Sequence, residues 1–370
     1  MKKIFIIILT AINLTAQGQQ LFPIDTAHWD IKANNYILEN IKGKDAIYLL
    51  NGQAWLKDFT FFNGTIEFDV LLTERASFPG VSFRAADQRN YEVFYLRSHL
   101  PGKPDANQAI PVVNGLTAWQ LYFGPSYSTP YDYNYDDWTH IKIVVKDRKA
   151  QMFFDYSKKP HLSWNLTHDP KVGKVGISVS SNACHFANFS VDTSEPELID
   201  FEVAENNPIE GIIEEWAISD KFEEKLLDDY NHIDAVINKR TWNNSIGVSE
   251  GRAANISKAI VRYDDKPGNT VFARIKFSSS TDQRKLFEFG YSDRVVVLLN
   301  GKPIYKGNNR WRSRDYRFLG TIGLFDAVYL DLKAGVNTLD FAVSEDFGGW
   351  LITGRFNNMK GIELLDNSIP

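Results

Sequence analysis

The chain has 370 residues, of which 44% are hydrophobic and 14% aromatic, and its formal net charge is -5. This length predicts two domains with substantial cores. The acidic balance argues against a nucleic-acid partner, because phosphate binding needs a basic face. The one cysteine, Cys184, excludes an intramolecular disulfide and is expected to be a small buried apolar residue.

Residues 1–18 have the features of a secretory signal peptide. Lys2 and Lys3 precede an apolar run from Ile4 to Ala16, and small residues follow it. The run is too short to span a membrane. We therefore expect a secreted or periplasmic protein without a membrane span, cleaved near residues 16–18.

Residues 19–192 are predicted to form one β-sandwich. Hydrophobic residues alternate with polar ones in segments such as GTIEFDVLL, GVSFRA and YEVFYLRS, and turn-forming residues separate these segments. In the first segment Phe68 and its alternate neighbours share one face, whereas Glu67 and Asp69 share the other. Many short strands at this spacing are typical of sandwiches and jelly rolls.

The stretch 193–210 is acidic and carries two prolines, which predicts a linker. Residues 211–370 are predicted to form a second β-domain. A candidate strand, EGIIEEWAIS, and one short helical pattern, DKFEEKLLDDYNHID, precede its main β-block, which runs from about residue 256 to residue 365. Within it, Asn300-Gly301 predicts a type I′ hairpin, since that turn needs two positive φ angles. The fold class is therefore predicted as all-β, with two jelly-roll sandwiches in tandem behind a signal peptide.

Polar and aromatic residues concentrate between Phe78 and Gln120 and again in RWRSRDYRF. Rings stack on the apolar faces of sugars, amides hydrogen-bond hydroxyls, and arginine binds carboxylate or sulfate. The competing interpretation is that these rings lie in the core and the arginines pair with nearby acids such as Glu67 and Asp69. The candidate binding residues are Arg84, Tyr95, Arg97, His99, Asp105, Gln108, Asn114, Trp119, Arg312 and Trp350.

The motifs NGTIEFDV, FPGVSFRAADQRNYEVFYLRSH, PDANQAIPVVNGLTAWQLY, DDWTHIKIVV and GKVGISV resemble the laminin-G-like bacterial branch of the concanavalin A-like lectin/glucanase superfamily, over about 53–191. The motifs FGYSDRVVVLLNGKPIYKGN, YLDLKAGVNTLDFAV and EDFGGWLITGRF are similar to the galactose-binding-like jelly roll of family-two glycoside hydrolases, over about 211–365. These resemblances imply two jelly rolls and sugar binding on a concave sheet or at a loop rim. Fold alone does not decide among the superfamily's functions.

The expected function is therefore carbohydrate binding, with a glycan partner and an oligomeric state that the sequence leaves open. One alternative is a glycoside hydrolase. The lectin-like glucanases carry Glu-x-Asp-x-x-Glu on one strand, but Leu72 stands where the third acid belongs, which leaves Glu92 and Asp105 as weak catalytic candidates. A second alternative is a laminin-G-like adhesion or scaffolding protein that binds another protein.

The seven histidines are scattered, and no metal-binding spacing occurs in the sequence. We therefore expect no cofactor. The loop at residues 131–137, YDYNYDD, carries enough oxygen ligands to leave a structural calcium ion open, although it lacks the EF-hand glycine and terminal glutamate.

Overall fold

A computed structural model of the chain describes residues 18–310 and 313–366. The predicted all-β fold class is confirmed, with one strand system in each half of the chain. The predicted signal peptide lies outside the described residues, apart from Gly18. No helix in the described ranges is long and apolar enough to cross a membrane.

The first half contains strands that belong to one hydrogen-bonded system. They are β1 (Gln20–Leu21), β2 (Trp29–Ile41), β3 (Lys44–Leu56), β4 (Gly64–Leu71), β5 (Ser77–Ala85), β6 (Tyr91–Leu96), β7 (Asn107–Val113), β8 (Leu116–Thr117), β9 (Thr139–Lys146), β10 (Lys149–Phe154), β11 (Leu162–Asn165), β12 (Lys174–Ser181) and β13 (Cys184–Asp192). Their order is β11-β10-β9-β4-β13-β3-β12-β5-β6-β7-β8, with β1 beside β13 and β2 beside β3.

The long strand β3 divides this system into two layers. Its first part, around Ala46, pairs with β13, and its second part, around Ala54, pairs with β12. The apolar residues of both layers meet in one core, where Phe94 of β6 stacks with Trp164 of β11 at 6.0 Å between ring centroids. Cys184 is buried in this core, which confirms the expectation for it.

Residues 193–210 form no strand or helix, but they are fixed against the first half. Gln151 of β10 exchanges two hydrogen bonds with the backbone of Ile199, at 2.6 and 2.8 Å. Nearby, Lys146 of β9 pairs with Glu195 at 2.7 Å. The predicted linker therefore lies across one end of the outer face of β9 and β10.

The second half contains a further hydrogen-bonded system. Its strands are β14 (Glu215–Ile218), β15 (Asn244–Ser249), β16 (Ala253–Asn255), β17 (Thr270–Ser279), β18 (Gln283–Ser292), β19 (Arg294–Leu299), β20 (Lys302–Asn308), β21 (Asp326–Leu332), β22 (Gly335–Ser344), β23 (Leu351–Phe356) and β24 (Ile362–Leu364). The order is β20-β19-β22-β17-β14-β15-β16-β23-β18-β21, and β24 pairs with β17.

Two local predictions in the second half have different outcomes. Asn300 and Gly301 connect β19 and β20 with φ angles of 50° and 76°, which confirms the predicted turn. The predicted helix is broken into short 3₁₀ turns, Glu224–Leu227 and Tyr230–His232, followed by helix α1 (Ile233–Asn238). A run so short gains little from its own hydrogen bonds and depends on packing.

The second half packs directly against the first. The indole of Trp119 lies between Gly320 and Gly348, where a Cβ would approach it to 2.9 and 2.6 Å respectively. Backbone contact continues beside it, since Ile322 N donates to Gln120 O at 2.8 Å. The close approach of Trp119 therefore requires glycine at positions 320 and 348, because a Cβ at either position would clash with the indole.

Glu345, close to this junction in the chain, is a fully buried acid. Both of its side-chain oxygens lack a hydrogen-bond partner among the described residues. Burial raises the pKa of Glu345 well above its ordinary value, and the nearby Asp293 carboxylate raises it further. The folded protein therefore favours the protonated, uncharged form of this side chain.

We expect Glu345→Gln to weaken the pH dependence of stability. The pKa of Glu345 in the folded state lies above the unfolded value of about 4.5. The contribution of Glu345 to the free energy of unfolding is therefore fully present below pH 4.5 and is lost as the pH rises through the folded-state pKa. Glutamine keeps the shape without the charge. Urea unfolding at pH 5 and pH 8 should show the variant gaining stability over the wild type at the higher pH. Glu363→Gln, at an exposed position, should show no such gain, and equal behaviour of the two variants would contradict the assignment.

Candidate functional site

Four of the predicted binding residues form a network that the second half of the chain covers. Arg97 and Asp105 make a buried ion pair, and Asp105 also accepts a hydrogen bond from Leu319 N at 2.7 Å. Gln108 accepts from Tyr95 Oη at 2.5 Å and from Arg97 Nη2 at 2.6 Å. The polar face that was expected to be open is therefore buried at these residues. The guanidinium of Arg97 pairs with Asp105 rather than with Glu67 or Asp69.

Three further predicted residues also serve the junction or the core. Asn114 Nδ2 donates to Ser257 O at 2.7 Å, and Trp119 is wedged into the second half as described above. Trp350 is fully buried, and its Nε1 donates to Val343 O at 2.9 Å, so it is not the exposed stacking platform that was expected.

The remaining predicted binding residues are separate from this group. Arg84 is buried and donates to Phe62 O at 2.6 Å and to Asn63 Oδ1 at 2.6 Å. His99 packs edge-on against Phe78, with ring centroids 5.5 Å apart, and its Nδ1 is buried. Arg312 lies outside the described residues. Ligand binding by any of the ten candidate residues stays a prediction.

The weak catalytic candidates Glu92 and Asp105 do not face each other. Glu92 is buried opposite Pro111, accepts a hydrogen bond from His168 N at 2.8 Å, and has its pKa raised by burial to about 7. Asp105 lies beyond the other end of β7, which places it at least four strand positions away, or about 13 Å. The two backbone positions are therefore farther apart than the ~5–9.5 Å between the carboxyl groups of glycosidases. The two carboxyls also bind different backbone groups, His168 N for Glu92 and Leu319 N for Asp105.

A different cluster occupies the outer face of β4 and β9. Tyr156 follows β10 in a turn where Asp155 and Tyr156 have positive φ angles of 46° and 59°. Asp155 fixes the turn by accepting hydrogen bonds from His140 N, at 2.9 Å, and from Tyr131 Oη. The turn lays the Tyr156 ring parallel to the His140 imidazole, with centroids 4.0 Å apart and planes 7° apart. We call Tyr156, His140, Glu67, Asp69 and Lys44 the Tyr156 platform.

Charged groups beneath the ring hold His140 in place. Nδ1 of His140 lies 2.8 Å from Asp69, and Nε2 lies 3.3 Å from Glu67. Asp69 is buried and also accepts from Lys44 at 2.8 Å and from Asn188 at 2.7 Å. Alternation in the sequence places Asp69 on the polar face of β4. The structure shows that its carboxylate is nevertheless buried, because His140, Lys44 and Asn188 surround it.

These contacts set the protonation of the pair. Burial lowers the pKa of His140, but its hydrogen bonds to Asp69 and Glu67 outweigh burial and raise this pKa to about 9. Burial raises the pKa of Asp69, but the hydrogen bonds from His140, Lys44 and Asn188 outweigh it and lower this pKa overall. At neutral pH the platform therefore carries an imidazolium beneath an aromatic ring, an arrangement that favours stacking.

Sequence reasoning identified Glu67 and Asp69 as sharing one face but missed His140 and Tyr156. The register pairs His140 with Asp69 across β4 and β9, which a strand alignment could have shown. No pattern in AQMFFDY distinguishes the last tyrosine as exposed. The left-handed turn that places Tyr156 on His140 is a property of the folded chain.

The described residues offer no evident metal centre. Within residues 18–310 and 313–366, no group of three or more His, Cys, Asp or Glu side chains is arranged to hold a metal ion. In the 131–137 loop, Asp136 O accepts from Lys42 Nζ, and Asp137 Oδ1 accepts from Trp138 N at 2.7 Å. A structural calcium ion in that loop stays a prediction.

No family model matches the chain, and no curated protein matches it. Among solved structures, it is similar to the carbohydrate-binding module CBM66 of Bacillus subtilis, with 13% identity and a TM-score of 0.35 over 45% of this chain and 96% of that one. It is also similar to a β-glucanase of Bacillus licheniformis, with 10% identity and a TM-score of 0.35 over 49% and 100% of the two chains. A laminarinase from Flavobacterium sp. UMI-01 has 12% identity and a TM-score of 0.35 over 46% and 95%. In each case slightly less than half of this chain covers nearly the whole of the other structure.

Removing the carboxylate of Asp105 should strongly destabilise the fold. Asp105→Ala leaves Arg97 buried without its partner, so we expect the free energy of unfolding to fall by about 3–5 kcal/mol in urea titrations. Arg284→Ala breaks an exposed ion pair with Asp331 and should cost less than about 1 kcal/mol. Similar small losses for both variants would show that the Arg97–Asp105 pair does not stabilise the junction.

The raised pKa of His140 should appear as a pH-dependent stability. Because the folded-state pKa is raised, this stability is complete below the unfolded value of 6.5 and is lost as pH rises through about 9. Between pH 6 and pH 9.5 the wild type should lose about 2 kcal/mol relative to His140→Gln, after allowance for solvent screening. Other titrating groups are present in both proteins and cancel in this difference. Parallel pH profiles would exclude the assigned charge on His140.

Proposed function

We propose that the protein is an exported carbohydrate-binding protein and that the Tyr156 platform is its glycan site. The observation that carries this proposal is Tyr156, a residue that is 74% exposed and whose ring lies flat on His140. A flat ring with one covered and one open face is suited to stacking against the apolar face of a sugar. Its place is fixed by a rigid turn, which limits the entropy lost on binding.

Polar groups beside the ring supply hydrogen bonds to hydroxyl groups. The Glu67 side chain is 26% exposed, and Lys44 is partly exposed beside it. A carboxylate acceptor and an ammonium donor next to a stacking ring give the mixed apolar and polar lining typical of small-ligand sites. The arrangement supports a neutral or weakly charged glycan.

The same geometry supports binding over hydrolysis. A glycosidase needs two carboxyl groups that can act on one glycosidic bond. Asp69 lies beneath the ring with its oxygens occupied by His140, Lys44 and Asn188, so Glu67 is the accessible acid of this pair. One accessible carboxylate beside an open ring is sufficient for a binding site.

Replacing the ring should remove most of the binding. We expect Tyr156→Ala to weaken glycan binding at least 10-fold, about 1.4 kcal/mol, because the stacking surface is lost. Affinity electrophoresis against a panel of neutral and acidic polysaccharides, followed by calorimetry with the best ligand, measures the change. Reducing-end release from the same panel tests for cleavage.

The matched control is Tyr329→Ala, which removes a tyrosine of similar exposure, 65%, from the second half of the chain. It should bind as the wild type does. Equal weakening by both substitutions, or no retardation of the wild type by any glycan, would overturn the proposal. Release of reducing ends that Glu67→Gln abolishes would favour the hydrolase instead.

A further inference from the structure

A cleft lies where the two halves of the chain meet, away from the Tyr156 platform. Its volume is about 500 Å³, within the ~300–1,000 Å³ of small-ligand sites. One wall is Arg89, in the loop between β5 and β6, and the other is the segment 262–268 before β17. We call this the boundary cleft.

The boundary cleft is positive in an acidic protein. Arg89, Arg262 and Lys266 have no carboxylate partner within ion-pair distance among the described residues, whereas Asp264 is paired with Lys221 at 2.6 Å. Three unpaired cations and the one unpaired acid, Asp265, leave a local charge of 3 - 1 = +2 in a chain of formal charge -5.

The cationic wall is held in place before any ligand binds. Lys221 Nζ donates to Val261 O at 2.8 Å and to Arg262 O at 3.2 Å, as well as to Asp264. Arg262 donates to Glu345 O at 3.0 Å and to Gly268 O at 3.1 Å. These bonds fix the segment at both ends, so ordering it on binding costs little.

The cleft also contains an aromatic surface. Tyr263 is 53% exposed, and the Arg262 guanidinium lies 4.8 Å from its ring centroid. An exposed ring beside a guanidinium group fits a ligand with both an anion and an apolar face. Arginine binds carboxylate and sulfate through paired N–H donors, and desolvation in a concave site strengthens the attraction.

We propose that the boundary cleft binds the carboxylate or sulfate group of an acidic saccharide, with Arg89 from one half and Arg262 and Lys266 from the other. The anion then contacts both halves of the chain at once. The saccharide class of this ligand rests on the proposed function, whereas the site is a different one and its anion chemistry stands on the cleft residues.

Calorimetry on the full chain at 20 mM and 200 mM salt tests the proposal with four probes. These are a galacturonic acid trimer, a carrageenan tetrasaccharide that carries sulfate but no carboxylate, a neutral laminari-tetraose and inorganic sulfate. We expect one of the two acidic saccharides to bind, and the one that binds identifies whether the cleft recognises a carboxylate or a sulfate group. Its affinity should be lower at 200 mM salt, because screening weakens the attraction between charges.

Arg89→Ala should weaken the acidic saccharide at least 10-fold, and Asp265→Asn should strengthen it about threefold by removing the opposing charge. A purely structural role for these exposed residues would not produce opposite effects. Arg284→Ala, an exposed arginine elsewhere, should leave the affinity unchanged, and thermal melting confirms that each variant is folded.

Three results would overturn the inference: neither acidic saccharide binds at low salt, Arg89→Ala binds as the wild type does, or inorganic sulfate binds as tightly as the saccharides. Loss of the neutral tetraose in Tyr156→Ala concerns the platform alone. Failure of the boundary cleft and failure of the proposed function are therefore distinguishable.

Discussion

The structure depends on the buried ion pair between Arg97 and Asp105. The Asp105 carboxylate neutralises the guanidinium of Arg97, which is buried in the first half of the chain. The same carboxylate accepts a hydrogen bond from Leu319 N of the second half. An unpaired charge at this depth would cost several kcal/mol, so the covering segment and the pair stabilise each other. Trp119 and Gln120 lie at the same junction, where Gly320 and Gly348 approach the indole and Ile322 N donates to Gln120 O.

Much of the fold is predictable from residue patterns because its causes are local. Ile66 and Phe68 lie in the core, as alternation predicts, since each successive side chain in a strand reverses its direction. Asn300 and Gly301 form the expected turn because few other residue pairs adopt two positive φ angles without strain. The short helical pattern failed for a similarly local reason, since a few residues cannot compensate for the cost of helix nucleation.

The candidate site was less predictable, because alternation identifies two faces of a strand and does not say what covers them. Gln108 lies in β7 and Arg97 directly follows β6, and the second half of the chain covers their polar side chains, which are therefore buried. Tyr156 ends an apolar strand in the sequence, yet its backbone turns it onto His140. Both outcomes depend on contacts between residues distant in the chain. Glu67 and Asp69 were correctly placed on one face, but the histidine that joins them comes from another strand.

The segment 193–210 has a consequence for the outer face that it crosses. It contacts β9 and β10 near Lys146 and Gln151, whereas His140 stands at the opposite end of β9, six positions or about 20 Å away. This segment covers that end of the outer face. A ligand that extends along β9 from the Tyr156 platform therefore meets residues 193–210 after about 20 Å, so the connection between the two halves limits the length of ligand that the face can hold.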